Sequence, residues 1–389
     1  LLSGFTVAFA IMLFTILFGI ANGFQNTFNN EFNGDANNSI FIYSGRTSKA
    51  VEGYQTGRRI QFDNELYKII KDEFNNDIEF ITGRVYKNVT ASFGNEKSNY
   101  SVRAVNPEHQ FIEKSEMKQG RFINPLDLKN NTKNIVIGNL VVEDLFGETD
   151  PIGKYLDLNK IKFKIVGVFV ERSEGTDSNE ARVIYMPIST AQKIYGNNDY
   201  LDQINLTYNP LLSEQEAIAF GNRVVDKIKD IFFIAKNDQS AVRARNRARE
   251  NQEITQFNGV LAILVLIIGM GTLVAGVVGI SNIMIFIVKE RTKEIGIRKA
   301  LGAPPNSIIL IIILESIFIT AIAGYIGLLI GGAVLNSFNL EDYWITDPGV
   351  SMSLVLAATI TLVIAGTLAG YIPAKRAASI KPIIALRDE

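Results

Sequence analysis

The chain has 389 residues, with 39 Lys+Arg against 40 Asp+Glu, one His and no Cys. A charge balance this close to zero excludes the concentrated basic excess of a nucleic-acid-binding face. The absence of cysteine excludes disulfides, thiolate zinc sites and a cysteine nucleophile. The charges also avoid four windows, and those windows organise the chain.

Leu1 to Gln25 holds no ionisable side chain, and the first charge is Glu31. A helix crosses a hydrocarbon core with about 20 apolar residues, so residues 1–23 read as the first transmembrane helix. The run is longer than the roughly 7–15 apolar residues of a cleaved signal peptide, which makes an uncleaved span the better reading.

Residues 24–239 are mixed in composition. The β-rich runs "SIFIY", "NIVIG", "KFKIVGVFV" and "RVIYMPI" alternate with the amphipathic stretches "FDNELYKIIKDEF" and "LLSEQEAIAFGNRVVDKIKDIF", as expected of an α+β domain. The only His, His109, lies in this segment and has no partner constellation in sequence, so it reads as a surface residue and gives no support to an enzyme. Residues 240–288 read as a stalk continuing into a second transmembrane helix, because no Pro or Gly interrupts the approach to Gly259. The arginines at 243, 245, 247 and 249 alternate and cannot form one helical stripe, so the stalk surface reads as solvated.

Residues 289–307 form a charged loop, 308–336 a third span, 337–350 a second loop, 351–372 a fourth span and 373–389 a tail. The first loop carries Lys289, Arg291, Lys293, Arg298 and Lys299, and the tail carries Lys375, Arg376, Lys381 and Arg387. The 337–350 loop has only Glu341, Asp342 and Asp347. Positive charge favours the cytoplasmic side, which places the first loop and the tail inside and residues 24–239 outside. The expected fold is therefore membrane α-helical, with four transmembrane helices and a large α+β extracytoplasmic domain inserted between helices 1 and 2, in a cytoplasmic (inner) membrane.

Each span carries small residues four apart: Gly19 with Gly23, Ala275 with Gly279, Gly327 with Gly331, and Gly366 with Gly370. Lipid offers little hydrophobic drive for helix association, so close approach at small residues is expected to hold the spans together, within or between chains. Glu315 is the single intramembrane acid. It lies about 12 Å along the helix from Ser307, close enough to bond a neighbouring helix or reach the inner headgroups. No second intramembrane ionisable group supplies a relay partner, so a structural role outweighs ion or proton transfer.

The stretch "KERTKEIGIRKALGAPP" reads as a short helix. Glu294 and Arg298 stand in the favourable i,i+4 order, Gly302 is suited to the C-cap, and Pro304 and Pro305 stop the helix beyond it. Its residues fit an interfacial helix on anionic lipid, a topogenic charge cluster, or a docking surface. The interspersed acids Glu290 and Glu294 favour docking, since anionic lipid would repel them.

This stretch resembles the cytoplasmic loop of ABC transporter permeases of the MacB/FtsX/LolC-LolE superfamily. "NIVIGNLVVEDLFGETDPIGKYLDLNKIKFKIVGVF", residues 134–169, is similar to a signature of the MacB-like periplasmic core domain, and "GYIPAKRAASIKPIIALRDE", residues 370–389, to the family's tail. The resemblance implies a type VII ABC system working by mechanotransmission. An ABC ATPase subunit moves a coupling helix, and a second permease subunit, identical or not, completes a dimer. The contact set it implies is Glu290, Arg291, Glu294, Ile295, Gly296, Arg298, Leu301 and Gly302. Glu294 and Arg298 would pair with charges on the ATPase, Ile295 and Leu301 would fill its groove, and Gly296 would permit close approach. No G-x-x-x-x-G-K-[ST] phosphate loop occurs in the sequence. ATP and magnesium are therefore expected in the partner ATPase, a separate polypeptide or a fused domain, with no cofactor in this chain. The expected function is efflux or release of a periplasmic or membrane-derived substrate, with a periplasmic adaptor or substrate protein and membrane lipid as further partners. The alternative is an FtsX-like signalling permease that controls a cell-wall hydrolase without moving solute.

Overall fold

The structure, a computed structural model, describes residues 2–31, 36–51, 53–170, 180–196, 198–337, 345 and 352–380. The chain divides into two compact units, Asn29–Thr255 and Leu1–Phe28 with Gln256–Glu389. The described helices are α1 Leu2–Glu31, α2 Asn64–Glu73, α3 His109–Ile112, α4 Pro125–Lys129, α5 Asn139–Phe146, α6 Ile188–Ile194, α7 Glu214–Ile231, α8 Arg247–Glu290, α9 Thr292–Ala300, α10 Pro305–Ser337 and α11 Met352–Ser379. The strands are β1 Ser39–Ser44, β2 Phe62–Asp63, β3 Ile78–Phe93, β4 Glu96–Val105, β5 Glu116–Gly120, β6 Asn134–Gly138, β7 Tyr155–Leu158, β8 Ile161–Val170, β9 Val183–Pro187, β10 Tyr200–Leu201, β11 Gln203–Tyr208 and β12 Val242–Asn246.

In the 29–255 unit one mixed sheet runs β12-β1-β11-β3-β4-β9-β6-β8-β5, with β7 paired to β3 and β8. The β4–β9 and β6–β8 pairs are parallel. The strands are apolar because they are covered: Ile40, Ile42, Ile81, Val85, Ile135, Ile137, Ile184 and Ile204 are all buried in one core with Phe62, Leu66, Ile70, Phe220 and Val224. The last five come from β2, α2 and α7, whose buried positions follow a helical period in "NELYKIIKDE" and "EQEAIAFGNRVVDKIKDI". Capping agrees with the sequence pattern. Asp63 Oδ1 accepts from the Leu66 amide at the start of α2, and Ser213 with Glu216 forms a capping box on α7.

The stalk departs from expectation. Val242–Asn246 is not helix but an edge strand paired antiparallel with β1, from Ile40↔Asn246 to Ser44↔Val242. The alternating arginines carried the period of two that defines a strand, and the helix begins only at Arg247.

In the other unit, three helices among the described residues are long and apolar enough to cross a membrane: Phe5–Thr27, Arg247–Glu290 and Pro305–Ser337. α11, on the fourth apolar window, runs past the expected end at 372 and through Pro373 to Ser379. Apart from Ser337 and Ile345, the 337–350 loop lies outside the described residues, as does the tail from Lys381 onward.

The glycines show where these helices touch. A Cβ at Gly327 would overlap the Ala8 carbonyl oxygen, and one at Gly331 would stand 2.9 Å from Thr15 Cβ, so α10 meets α1 backbone to backbone. At Gly366 it would lie 2.8 Å from Ile317 Cα and at Gly370 2.8 Å from Ser316 Cβ, joining α11 to α10. Ser316 Oγ also donates to the Gly366 carbonyl at 2.8 Å. Gly19 and Gly23 are buried on α1. The α8 seam differs from the expected pair: Ala275 is exposed, while Gly276 is buried and Gly279 half-buried, and a Cβ added at either would stand 3.3 Å from Val7 or 3.2 Å from Thr6 of α1, respectively.

Candidate functional site

The junction of α8, α9 and α10 is built as a fastened short helix. Arg291 sits between α8 and α9, its amide donating to Ile287 O and its carbonyl accepting from the Ile295 amide, each at 3.0 Å. The turn therefore continues almost unbroken. At the other end Gly302 takes φ +96, the Gly302 amide donates to Lys299 O and the Ala303 amide to Arg298 O. This is the paired-bond helix stop that a glycine at this position allows.

Glu294 and Arg298 form the expected pair, Nη2 to Oε1 at 2.7 Å, with both side chains about half exposed. Glu290, Leu301 and Gly302 are exposed as well, Leu301 at 84%. Ile295 and Gly296 are not available to a partner. Ile295 packs with Met284, Val288, Ile308 and Ile312 in the core of this unit, and Gly296 is buried beside it. The helical period explains the correction, since position 295 follows Val288 by seven residues, two full turns, on the inward stripe. The exposed aliphatics are instead Ile297 and Leu301, four apart on one face. That spacing was present in the sequence and would have identified Ile297.

Two side chains tie α9 to the neighbouring helices. Arg291 Nη1 reaches both Glu315 oxygens, at 3.1 and 3.2 Å. Lys299 Nζ donates to Ala378 O and Ile380 O, each at 2.7 Å, and so caps the C-terminus of α11 with a cation, the favourable sign there. Glu315 is therefore an anchor for Arg291. Sequence reasoning missed Lys299, whose role depends on a partner 79 residues away.

Elsewhere in this unit, α1 and α8, with Thr361 of α11, line an open apolar cavity of about 480 Å3. Ile11, Phe14, Phe18, Leu261, Val265 and Met270 line it, with the amides of Asn22, Gln25 and Asn258 near one end of the helices.

The 29–255 unit hides a charged cluster. His109, expected at the surface, is fully buried. Its Nε2 lies 3.0 Å from Glu113 Oε2, and Arg84 Nη2 lies 3.3 Å from its Nδ1. Glu113 also pairs with Arg84, with Arg103 at 3.2 Å and with the Tyr185 hydroxyl at 3.2 Å. Burial opposes the Glu113 charge, but the two guanidiniums and His109 hold its carboxyl well below the usual range. Burial lowers the His109 value, with Arg84 and Arg103 acting in the same direction against Glu113. These groups come from β3, β4, α3 and β9, and the arrangement fastens the sheet to the α3 segment.

Long apolar helices, a folded α+β unit inserted after the first of them, and a short charged helix between two spans define a membrane protein of permease type. Residues 1–220 match the MacB-like periplasmic core domain and residues 261–382 the FtsX-like permease C-terminal domain. The chain belongs to the family built on the MacB-like periplasmic core domain. It is 29% identical over 309 residues to the macrolide export ATP-binding/permease protein MacB of Wolinella succinogenes, covering 78% of this chain and 46% of that one. It is 30% identical over 315 residues to the protein of that name from Chlorobaculum tepidum, covering 81% and 48%. The chain thus spans about half the length of these curated relatives, and its matched domains are both permease domains. Among solved structures it is similar to the periplasmic region of MacB from Actinobacillus actinomycetemcomitans, with TM-score 0.46 and 16% identity over 58% of this chain and 98% of that one. It is also similar to the extracellular domain of the ABC-type transporter YknZ from Gram-positive bacteria, with TM-score 0.44 and 18% identity over 54% and 100%.

Proposed function

We propose that the chain is the transmembrane subunit of an ABC transporter and that α9 is the helix through which a partner ATPase moves it. The observation that carries this reading is the pairing of an exposed face with two fastenings. Glu290, Glu294, Ile297, Arg298 and Leu301 are exposed, while Arg291 and Lys299 tie the two ends of α9 to α10 and α11. A force on α9 then reaches two membrane helices that are themselves closely packed at Gly366 and Gly370. Mechanotransmission needs such stiff connections, and a flexible loop would dissipate the motion. In this reading α11 is the fourth span, the 29–255 unit is extracytoplasmic, and a second permease subunit completes the machine. ATP and magnesium belong to the ATPase. The apolar cavity between α1 and α8 supports efflux or release of an apolar or amphipathic, membrane-derived substrate.

The direct test is purification of the chain from its native membrane in mild detergent, with mass spectrometry of what accompanies it. A stoichiometric ATPase is expected, and recovery of the chain alone would overturn the reading. Glu294→Lys combined with Arg298→Glu keeps the intrahelical pair while reversing the surface. It is expected to reduce ATPase association at least tenfold with unchanged elution of the chain itself. Undiminished association would show that α9 is not the contact.

Glu315→Gln retains an acceptor for Arg291 and is expected to keep transport within about threefold of wild type. Glu315→Lys places two cations together and is expected to uncouple ATPase activity from transport. A loss above tenfold in Glu315→Gln, at normal membrane levels, would return Glu315 to the role of an intramembrane relay.

A further inference from the structure

α7 ends in an unusual way. The Phe233 amide donates to Asp230 O at 3.2 Å and the Ile234 amide to Lys229 O at 2.8 Å, which puts Phe233 at the left-handed position that normally calls for glycine. Its φ is +50. A bulky aromatic side chain there opposes the backbone preference, and burial does not offset this, because Phe233 is 60% exposed.

The ring stacks on Tyr54, with centroids 5.6 Å apart and planes 15° from parallel, and Tyr54 is itself 40% exposed. The Arg58 guanidinium lies 4.3 Å from the Tyr54 centroid and donates back to the Phe233 carbonyl at 3.2 Å. The loop carrying Tyr54 is held in one shape. Thr47 and Arg58 are joined across its base at 2.9 Å. Asp238, fully buried, accepts from the Ser48 amide at 2.7 Å, the Ser48 hydroxyl at 2.8 Å and the Lys49 amide at 3.1 Å.

The charge on this loop has one sign in excess. Arg46, Lys49, Arg58 and Arg59 stand against the single acid Glu52. Lys49 and Arg59 are exposed, and their side chains have no ion-pair or hydrogen-bond partner among the described residues. The loop follows β1 and faces the segment that leads into β12. It therefore sits at the Ser44–Val242 end of the β1–β12 pair, opposite Ile40 and Asn246.

We propose that Tyr54 and Phe233, flanked by Lys49, Arg58 and Arg59, form a docking site for a carboxylate-rich segment of a second protein. The stacked rings take an apolar residue of that segment, and the cations take its acids. Rigid exposed tyrosine and arginine are the side chains that anchor protein interfaces, and Lys49 and Arg59, which have no side-chain partner among the described residues, set the sign of the partner. A single pre-shaped ring pair fits a protein segment better than a lipid surface, which is bound by longer basic and apolar faces. The inference stands on the 29–255 unit and is independent of the coupling reading.

The test places the photoreactive analogue benzoylphenylalanine at position 233 of the full chain in its native membrane, where it replaces one aromatic ring by another. After irradiation, cross-linked peptides are sequenced. The expected adduct is to one other polypeptide, through a peptide rich in Asp and Glu, and it falls at least tenfold when Lys49→Glu and Arg59→Glu are added. No adduct, or an adduct to lipid, to a second copy of this chain, to a peptide poor in acids, or insensitive to the two charge reversals, would overturn the proposal. As a folding control, Phe233→Gly relieves the backbone and is expected to leave Tm equal or higher. A clear fall in Tm would make Phe233 a packing residue and would equally overturn the proposal. Loss of ATPase association in the same preparations would bear on α9 and leave this result unaffected.

Discussion

Replacing Glu113 by Ala is expected to remove about 3–5 kcal/mol of stability from the 29–255 unit, because it leaves the Arg84 and Arg103 guanidiniums buried without their counter-charge and takes away the carboxylate beside His109. At about 1.4 kcal/mol per factor of ten, amide protection in β3, β4 and β9 should drop by about two to three and a half orders of magnitude. Hydrogen exchange on the full chain in detergent measures this, and protection within threefold of wild type would show that the cluster contributes little. The pH dependence follows from His109. Its folded value is lowered from 6.5 by burial first and by the guanidiniums second, so the unfolded chain takes up a proton that the folded chain refuses. Stability is then level above about pH 6.5 and declines as the pH falls below it. A second decline is expected below the ordinary carboxylate range, where the unfolded chain protonates a residue that stays ionised at Glu113. In His109→Gln the first decline should vanish and the second remain, because glutamine does not titrate while Glu113 keeps both guanidiniums.

The same cluster shows where sequence reasoning stops. His109, Glu113, Arg84 and Arg103 lie on three separate segments, and only the pairing of β3 with β4, Arg84 opposite Val105, brings the guanidiniums to one place. A lone histidine carries no local mark of burial. Local patterns were legible where one period dominated. "NIVIG" became β6, "KFKIVGVFV" lies within β8, and the amphipathic stretch "LLSEQEAIAFGNRVVDKIKDIF" contains α7. In the stalk two periods competed. Freedom from Pro and Gly allowed a helix, the alternation of arginines required a strand, and pairing with β1 decided for the strand up to Asn246. In α9 the cap at Gly302 and the Glu294–Arg298 pair could be read directly, being local. The inward turn of Ile295 could not, because the period places it with Val288 without saying which way that stripe faces, and the facing is set by Ile308 and Ile312 across the Pro304–Pro305 stop.

In the membrane unit, Gly327→Leu is expected to abolish packing of α1 against α10. The first atom of the new side chain would fall on the Ala8 carbonyl oxygen, with Ala8 Cα 3.1 Å away. Both are backbone, so no rotamer change relieves the overlap, and the helices must separate along the contact that includes Gly331 and Thr15. In lipid that separation is not resisted by any gain in burial elsewhere, since close contact is the main source of attraction between helices. Overpacking a soluble core costs about 1–3 kcal/mol, sometimes more, and a backbone clash belongs at the upper end. Two other glycines calibrate the result. At Gly279 a Cβ would meet only the Thr6 side chain, its hydroxyl at 3.2 Å, and no backbone, so Gly279→Ala should be tolerated far better than Gly327→Leu. At Gly271 nothing stands within 4 Å, so Gly271→Leu should leave the monomeric unit unchanged. Elution profiles in mild detergent after stepwise heating measure all three, and Gly327→Leu should lose its folded peak at least 10 °C below wild type. If Gly327→Leu matched wild type, α1 would not pack on α10 through this seam. If Gly271→Leu alone abolished a dimer peak while the monomer stayed folded, the open glycine face of α8 would be the seam between copies, with Gly327 and Gly331 serving packing within one chain.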